Sequence, residues 1–346
     1  MNKLLNVRMV KLNILILFVV MLFLINIASQ VTANEKQQQT QQGIVTFDEW
    51  KKALKPDMLK QGANDQLVDQ IVTSLVFIPR VIELDRRQPE SRMTHEQYLT
   101  KVIPPWKVER AREEYKLNKT KLKQAEDATG VPAHYIVALW GKETNFGTIT
   151  GNYSVPSALA TLAYDGRRAS FFRKELMAAV KILAQGHIEL KNMKGSWAGA
   201  MGNCQFMPTS FLQFAVDSNN DGKKDIWGDK DDIFASMGNY LSRYGWDKNK
   251  SWGRQVKLTK PFSEYKIGKK NIHSISDWQG KGVRRMDGSD LPKVDLKGYL
   301  IAPGGKNGRI YLVYPNFDII MKWNRSHYFA TGVGYLADRI TYPQIN

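Results

Sequence analysis

The stretch "IVALWGKETNFG", residues 136–147, combines an apolar helical run with a carboxylate. At helical spacing, Ile136, Leu139, Trp140 and Glu143 fall at i, i+3, i+4 and i+7 and share one stripe of a helix. Three of these side chains are typical of a protein core, whereas Glu143 is charged. Because charged residues are seldom buried without a partner, the pattern predicts either a structural ion pair or a place in a cleft.

The residues around this run mark the limits of a helix. Pro132 suits a first helical turn, and "NFG", residues 145–147, indicates a helix end that opens into a loop. Burial disfavours the charged form of a carboxyl group and raises its pKa, so that it becomes a general acid near neutral pH. Periodicity alone leaves both interpretations of Glu143 open, and an arginine-paired structural glutamate is the more common one.

The N-terminus has the layout of a secretory signal peptide. Lys3, Arg8 and Lys11 precede an apolar run at 14–25, and small residues follow up to Ala33. The run is shorter than the roughly 20 residues needed to span a bilayer, which favours cleavage over a retained anchor. No cysteine lies nearby to carry a lipid. We expect residues 1–33 to be a signal peptide and residues 34–43 to be a polar tether.

The chain has a formal net charge of +17 at pH 7 and one cysteine, Cys204. Three positive charges precede Ala33, so the exported chain carries about +14. Outside the cytoplasm, a basic protein is attracted to anionic envelope polymers and lipid head groups. No RNA-binding or helix-turn-helix pattern indicates nucleic acid. One cysteine excludes an internal disulfide, so stability must come from the core or from a metal ion.

Hydrophobic periodicity divides the chain into helical and strand-like parts. Apolar residues three and four apart predict helices from Val45 to about Tyr115 and from Lys119 to Tyr244, with Pro79–Glu90 as a charged connector. Alternation after Trp252 predicts short strands in "RQVKLTKPFSEYKI", "LKGYLIAP" and "GRIYLVYPNFDIIMKW". A helical pattern returns in "SHYFATGVGYLADRI".

This order predicts an α+β, mainly helical fold with a small inserted β domain. The expected limits are 44–118 for a helical N-terminal domain and 119–252 for a core. The β domain is expected at 253–322, and a C-terminal helix that returns to the core at 323–346.

The segment "DSNNDGKKDIWGDKDD", which starts at Asp217, matches the beginning of an EF-hand calcium loop. Asp217, Asn219 and Asp221 occupy loop positions 1, 3 and 5, and Gly222 occupies position 6. Hard oxygen ligands must converge on one cation, and the glycine permits the sharp turn between them. The spacing therefore predicts a Ca²⁺ site.

The end of this loop departs from the pattern, because position 12 is Gly228 and not glutamate. Asp231 is the best substitute, with Asp229 and Asp232 in reserve, and Lys223 at position 7 would offer its backbone carbonyl. We expect one structural Ca²⁺ and no organic cofactor. The alternative is an acidic surface turn without a metal.

Other features are less informative. "GSWAGAMGNCQFMPTSF", residues 195–211, holds four small residues that permit close backbone approach, for packing or for a ligand lying along the chain. The five histidines form no HExxH motif and no close pair with metal-ligand spacing, so a zinc hydrolase has little support. No GxSxG is present. Cys204 is expected to be a small buried residue and not a nucleophile.

Five segments in a fixed order make the chain resemble the lytic murein transglycosylase B family, from roughly Phe47 to the C-terminus. They are "PRVIELDRRQPE", "ALWGKETNFG", "PSALATLAYDGRRASFFRKEL", "GSWAGAMGNCQFMPTSF" and "VDSNNDGKKDIWGDKDDI". The resemblance implies a helical N-terminal region, a lysozyme-like catalytic core with an EF-hand calcium site, and a small β domain.

The resemblance also implies a reaction. Such enzymes cleave the β-1,4 bond between N-acetylmuramic acid and N-acetylglucosamine in peptidoglycan without water, and leave a 1,6-anhydromuramic end. The match at "GKETNFG" makes Glu143 the single catalytic acid/base. Most glycosidases use two carboxylates. Here the C6 hydroxyl of the substrate attacks within its own sugar, and an intramolecular nucleophile has a high effective concentration.

Matching positions imply contacts with the substrate. Ser196 and Gln205 match positions that hydrogen-bond near the acid and the sugar, and Tyr240, Asn324 and Tyr328 match cleft positions.

Two pairs of residues near these positions leave questions open. Arg167 and Arg168 belong to a matching segment and serve either structure or substrate. Asn203 and Cys204 stand where the family has an aromatic–glycine pair before its glutamine, so we expect the cleft to differ locally.

The sequence thus favours a periplasmic lytic transglycosylase that acts on peptidoglycan glycan strands. We expect a monomer with peripheral contact to the membrane or to cell-wall machinery, and no nucleic-acid partner. Two alternatives stay open: a wall-binding scaffold protein without turnover, and a muramidase that hydrolyses the same bond.

Overall fold

The computed structural model describes residues 45–87 and 93–342 of the 346-residue chain. The predicted signal peptide and polar tether lie outside the described residues. The chain divides into two units at residue 52. In the first unit, the structure describes residues 45 and 46 and helix α1 (Phe47–Lys52). This helix buries none of its side chains.

The second unit is mainly helical. The helices of its described residues are α2 (Lys55–Leu59), α3 (Asp65–Ser74), α4 (Pro79–Arg86), α5 (His95–Val102), α6 (Pro105–Leu117), α7 (Lys119–Thr129), α8 (Ala133–Thr144), α9 (Val155–Asp165), α10 (Ala169–Ala184), α11 (Pro208–Phe214), α12 (Lys230–Arg243), α13 (Ile275–Gly280), α14 (Pro315–Trp323) and α15 (His327–Thr341). Short 3₁₀ turns occur at Leu190–Asn192 and Phe262–Glu264.

Local sequence signals explain where several of these helices begin. The Asn64 side chain accepts a hydrogen bond from Leu67 N at the start of α3. Thr94 and Gln97 form a capping box at the start of α5. Such caps satisfy backbone N–H groups that have no partner inside the helix.

Helix α8 lies at the centre of the fold. It packs against α6, α7, α12 and α15, and nine of its 12 residues are buried. A helix that is apolar on all sides belongs inside a protein. The single apolar stripe inferred from its sequence is therefore too narrow a description, because side chains off that stripe, such as Val137 and Ala138, are also fully buried.

The predicted connector Pro79–Glu90 is wrong for its first part, which forms helix α4. Pro79 stands in the first turn, where the missing N–H costs nothing. Val81 is fully buried, and the buried Asp85 carboxylate accepts hydrogen bonds from Arg167 and Arg168. The charges in this segment therefore join α4 to the start of α10.

Five antiparallel strands follow Trp252 and form a sheet in the order β4-β6-β7-β3-β5. They are β3 (Gly253–Leu258), β4 (His273–Ser274), β5 (Val283–Arg284), β6 (Lys297–Ile301) and β7 (Ile310–Val313). In the central pairs, Arg254 faces Leu312 and Leu300 also faces Leu312. A separate two-stranded pair joins β1 (Tyr153–Ser154) to β2 (Lys194–Gly195).

The sheet has a hydrophobic cluster of its own, which includes Val256, Trp278, Leu300, Leu312 and Tyr314. This cluster agrees with the predicted β-rich portion, whereas the exact domain limits stay predictions.

One predicted strand region is partly wrong. "IYLV" forms β7, but the chain from Pro315 to Trp323 is helix α14. Pro315 removes a strand donor and favours a first helical turn.

Trp252 joins the sheet to the helices. Its carbonyl accepts Tyr314 N at 3.0 Å, and its indole N–H donates to the Asp338 carboxylate on α15 at 3.2 Å. Gly334 leaves room for the indole ring, because a Cβ atom there would overlap it. The close contact between α15 and Trp252 therefore depends on this glycine.

The mainly helical α+β class with a small antiparallel sheet is confirmed. Within residues 45–87 and 93–342, no helix combines the length and the apolar character needed to cross a bilayer.

We expect Gly334→Ala to lower the free energy of unfolding by roughly 1–3 kcal/mol, since overpacking a core costs about that much. Alanine otherwise favours a helix interior over glycine, so a loss would come from the contact with Trp252. Gly280→Ala is the control, because nothing lies within 4 Å of its added Cβ. Urea unfolding measures both variants, and equal midpoints would contradict the packing argument.

Candidate active site

Glu143 is the penultimate residue of helix α8. Its Oε1 accepts a hydrogen bond from the indole N–H of Trp323, at the end of α14, over 2.7 Å. The residue keeps some accessible surface, although its carboxyl group is surrounded by protein. Burial raises its pKa to about 7, against the opposing effects of the Trp323 hydrogen bond and the Lys142 charge. Glu143 can therefore hold a proton near neutral pH.

The chain reverses sharply after Glu143. Asn145, Phe146 and Gly147 have φ angles of 52°, 60° and 83°, a left-handed conformation that costs free energy outside glycine. The Thr144 hydroxyl accepts a hydrogen bond from Gly147 N, and its carbonyl accepts one from Ile149 N. The predicted helix end at "NFG" is confirmed as this strained turn.

Lys142 lies beside Glu143 in a mostly aromatic setting. Its ammonium donates to the Tyr98 hydroxyl over 2.8 Å and lies 5.5 Å from the centre of the Phe329 ring. Burial lowers its pKa to about 7, and the Lys107 charge acts in the same direction. Burial also raises the pKa of Tyr98 to about 12, with a further contribution from the Glu143 charge. The charges of Lys142 and Glu143 each shift the pKa of the other, so their charge states are linked.

An aromatic wall supports Trp323. Its ring centroid lies 4.7 Å from that of Tyr240 and 5.3 Å from that of Phe206. The hydroxyl of Tyr240 donates to Lys322 O over 2.7 Å, and burial raises the pKa of that hydroxyl. Tyr240, one of the predicted cleft residues, thus packs on the side chain that binds Glu143.

Gln205 and Ser196 lie in closely packed loops. The Gln205 amide donates to Thr150 O at 3.0 Å, just after the turn that follows Glu143. Ser196 Oγ accepts Ala200 N at 3.0 Å and so closes its own loop. Gly195, next to Ser196, touches the Ala200 carbonyl so closely that no side chain would fit. Two of the small residues of this segment, Gly199 and Gly202, leave room for the Leu159 side chain and the Ile226 carbonyl, so they serve close packing.

Asn324 and Tyr328 follow Trp323 in the chain. Asn324 is exposed, and its carbonyl accepts Ser326 N in the turn into α15. Tyr328 is half-buried, with its ring centroid 5.3 Å from that of Tyr98 and its hydroxyl donating to Met93 O. The Tyr328 ring thus packs on Tyr98, whose hydroxyl accepts a hydrogen bond from Lys142, the neighbour of Glu143.

The departure at Asn203 and Cys204 has a structural explanation. Asn203 Oδ1 accepts the indole N–H of Trp140 at 2.7 Å, and its amide donates to Trp227 O at 2.9 Å. Asn203 thereby fastens the Glu143 helix to the acidic loop. Cys204 is fully buried, as predicted, and burial raises the pKa of its thiol.

Arg167 and Arg168 serve structure in this fold. Both guanidinium groups bind the carboxylate of Asp85, which is 2% exposed. Burial alone would raise the pKa of Asp85, but these two hydrogen bonds hold it below its ordinary value.

The acidic loop winds around its first aspartate. Asp217 accepts backbone N–H groups from Asp221 at 3.2 Å and Gly222 at 2.9 Å. Asp221 in turn accepts Lys223 N at 2.8 Å. Gly222 has a φ of 87°, so the sharp turn is formed where the glycine permits it. Carboxylate, amide and carbonyl oxygens are the donors that Ca²⁺ prefers, so the donor set fits this ion.

The acidic side chains at the C-terminal end of the loop converge less closely. The Asn219 amide lies 3.0 Å from Asp229 Oδ2, while Asp231 contacts the Lys121 ammonium. The buried Asp232 accepts Ser218 N and Asp225 N, each at 2.7 Å, and so ties both sides of the loop to α12. Among the described residues, no group of three or more His, Cys, Asp or Glu side chains is close enough to hold a metal by itself.

A family model described as "Transglycosylase SLT domain" matches residues 46–338. The chain belongs to this transglycosylase family. The SLT domain therefore covers almost all of the described residues, from the first helix to α15.

Relatives and solved structures agree with this placement. The chain is 29% identical over 298 residues to membrane-bound lytic murein transglycosylase B of Escherichia coli K12, covering 83% of this chain and 81% of that protein. SltB3 from Pseudomonas aeruginosa, solved in complex with NAG-NAM-pentapeptide, has 37% identity and a TM-score of 0.82, with 86% and 80% of the two chains covered. The Escherichia coli lytic transglycosylase SLT35 in complex with calcium has 29% identity and a TM-score of 0.72, with 84% and 92% covered. The resemblance inferred from the sequence is confirmed.

Three side chains at the site were not predicted from the sequence. Lys142 stands in the matching segment "ALWGKETNFG" and Trp323 directly precedes the predicted cleft residue Asn324, yet neither was predicted to act at the site. Tyr98 carried no signal at all, because its hydroxyl reaches Lys142 only through the packing of α5.

Replacement of Trp323 by phenylalanine tests the cause of the Glu143 pKa. The Trp323→Phe change removes a hydrogen bond that favours the ionised carboxyl group, so the pKa should rise from about 7 by about one pH unit. Carboxyl ¹³C NMR of glutamate-labelled protein follows this titration. Tyr240→Phe, whose lost hydroxyl contacts Lys322 and not Glu143, is the matched control. A lowered pKa in Trp323→Phe would refute the assignment.

Proposed function

We propose that this chain is a lytic murein transglycosylase. In this proposal it cleaves the β-1,4 bond between N-acetylmuramic acid and N-acetylglucosamine in peptidoglycan and leaves a 1,6-anhydromuramic end. The observation that carries the proposal is one carboxyl group, Glu143, with a pKa near 7 in an SLT domain. A group that gives and then takes back a proton works best when its pKa is close to the working pH.

In the first step, the protonated Glu143 gives its proton to the glycosidic oxygen. The bond from that oxygen to C1 breaks, and positive charge develops at C1 and the ring oxygen, where the acetamido group of the same sugar can stabilise it. The indole N–H of Trp323 holds the carboxyl group in place and stabilises the carboxylate that forms.

In the second step, the Glu143 carboxylate removes the proton from the C6 hydroxyl of the muramoyl sugar. The C6 oxygen attacks C1 of the same ring, so that no water enters the product and Glu143 regains its proton. The groups that shift the pKa of Glu143 are Trp323 and Lys142, and neither is a carboxylate. An intramolecular hydroxyl has the proximity that makes a second carboxylate unnecessary.

The pH dependence follows from the first step, which needs the proton on Glu143. The proton is present below a pH of about 7 and is lost as the pH rises through the folded pKa. Bond cleavage should therefore slow on the alkaline side. Charged Lys142 lowers the pKa of Glu143. Because burial lowers the pKa of Lys142 itself to about 7, Lys142 loses its charge over the same pH range, and this loss opposes the release of the Glu143 proton.

We expect Glu143→Gln to lower the release of anhydromuropeptides from purified sacculi at least about 100-fold, because acid–base groups contribute roughly 10²–10⁴-fold. The exposed Glu113→Gln, on α6, is the control and should match the wild type. Equal release by wild type and Glu143→Gln would rule out the enzyme and leave the scaffold alternative. Mass spectrometry separates the muramidase alternative, since a reducing end is heavier than an anhydro end by one water.

We further propose one structural Ca²⁺ in the loop from Asp217. Asp217, Asn219 and Asp221 would supply side-chain oxygens, Lys223 its carbonyl, and Asp231 the last carboxylate, with Asp229 and Asp232 in reserve. The ion would fix a loop that Asn203 connects to the Glu143 helix through Trp227 and Trp140. It would take no part in the reaction.

Chelation tests the calcium site. A ligand that binds only the folded state stabilises by about 2.7 kcal/mol at 100 times its dissociation constant, so EGTA should lower the melting temperature by several degrees. Excess Ca²⁺ should restore it, whereas Mg²⁺ should not. Asp217→Asn should weaken the response, and the exposed Asp127→Asn should keep it. An unchanged melting temperature after EGTA would argue against a bound ion.

The proposal places the protein in the periplasm, where peptidoglycan lies. The predicted signal peptide and the excess of basic residues support that location. The positive charge would draw the enzyme to the anionic wall, and we propose that it acts there as a monomer.

A further inference from the structure

A cavity lies away from Glu143, between α5, α6, the start of β3 and the C-terminal half of α15. It has a volume of about 810 Å³, within the usual range for small-molecule sites. On α15, Phe329 contacts Lys142 beside the acid, whereas Arg339 lines the cavity. Ten residues of helix separate them, about 15 Å at 1.5 Å per residue.

Three arginines line this cavity without a carboxylate partner. Arg254, Arg309 and Arg339 make no ion pair within residues 45–87 and 93–342, whereas Arg112 on the same rim pairs with Glu109. Glu96 accepts a hydrogen bond from Arg309 N at 3.0 Å, and Asp338, which lines the cavity, accepts hydrogen bonds from Trp252. Burial raises the pKa of Asp338 to about 6, although the Trp252 hydrogen bond and the charges of Arg339 and Arg254 oppose the shift. The cavity therefore has a clear excess of positive charge.

Two buried polar atoms at the cavity make no hydrogen bond of good geometry within the described residues, although Arg309 lies close to the Tyr311 hydroxyl and Arg254 close to that of Tyr314. They are Nε of Arg254 and the hydroxyl oxygen of Tyr311, whose residue is 1% exposed. Buried polar groups in folded proteins are almost always satisfied by protein, water or ligand. Both atoms can donate, so the missing partner is an acceptor such as a carboxylate oxygen.

The remaining wall favours a ligand with aliphatic parts. Leu99, Ile103 and Met286 line the cavity, and the guanidinium carbon of Arg339 lies 3.5 Å from the centre of the Tyr335 ring. Stacked arginines present their donors in a plane that matches a carboxylate. Inorganic phosphate would use the charges but not the apolar wall. Glu109 and Asp338 would accept an ammonium group.

We propose that this cavity binds a short peptide through a free carboxylate. The stem peptide of peptidoglycan has this chemistry, and the choice of this ligand rests on the proposed function. The cavity would then hold the peptide part of the substrate at a distance from Glu143, and a strand that carries stem peptides would bind more tightly than a bare glycan.

Isothermal titration of the purified protein with L-Ala-γ-D-Glu-meso-diaminopimelate tests the proposal. The Glu143→Gln background excludes turnover. We expect saturable binding that Arg254→Gln and Arg309→Gln each weaken about tenfold or more, because each removes a charged hydrogen bond. Arg243→Gln, an exposed arginine at the end of α12, should bind as the parent does. Equal affinity in all four proteins, or no binding to the parent, would overturn the proposal.

Two further ligands define the chemistry. A tripeptide with its carboxylates amidated should fail to bind, and inorganic phosphate should bind at least tenfold more weakly than the free tripeptide. Tight binding of either would overturn the carboxylate-peptide assignment. Arg254→Gln should melt no lower than its parent, since the half-buried Arg254 makes no ion pair within the described residues that the change could break. Lost binding could then not be ascribed to unfolding.

Cleavage of peptide-free glycan strands separates this proposal from the enzymatic one. With Glu143 restored, the Arg254→Gln protein should cleave such strands at the wild-type rate while it fails to bind the tripeptide. A wild-type protein that binds the tripeptide but cleaves no strand would refute the proposed function and leave the peptide site standing.

Discussion

The burial of one carboxyl group at the end of helix α8 is the constraint on which the site depends. Glu143 has a pKa near 7 because protein surrounds it, and the burial outweighs both the Trp323 hydrogen bond and the Lys142 charge. That environment exists only because α8 lies inside a ring of helices and is buried on nearly every side. The apolar residues of "IVALW" thus fill the core and also keep α8 buried, which raises the pKa of Glu143.

The surroundings of Glu143 are formed by parts of the chain that lie far apart in sequence. Trp323 ends the helix that directly follows β7, so the path of the chain through the sheet delivers the indole to the acid. Trp252 anchors the other end of that path against Gly334 on α15. The sheet therefore sets the position of a side chain at the active site as well as burying its own cluster.

Short-range patterns predicted the elements well where one signal dominated. The Glu143 helix, the strand in "YLI" of β6 and the long C-terminal helix follow from periodicity and turn residues. The errors at α4 and α14 have different causes: the charges of α4 favoured a connector, and the alternation up to Trp323 favoured a strand. In both cases a proline begins the helix. Trp323 lies 180 residues from Glu143, and no local pattern relates positions so distant. The family resemblance supplied the acid, but the groups that tune its pKa became visible only in three dimensions.

The position of Glu143 on its helix also favours the protonated state. The carboxyl end of a helix carries a partial negative charge, which disfavours a carboxylate and attracts cations. Lys107 donates to Gly141 O at this end over 3.2 Å. Its charge lowers the pKa of Lys142 in addition to burial, and a less charged Lys142 favours the carboxylate of Glu143 less. Lys107 therefore has two effects. It donates a hydrogen bond to a carbonyl at the end of the helix. By lowering the pKa of Lys142, it also helps Glu143 to keep the proton that the first step requires.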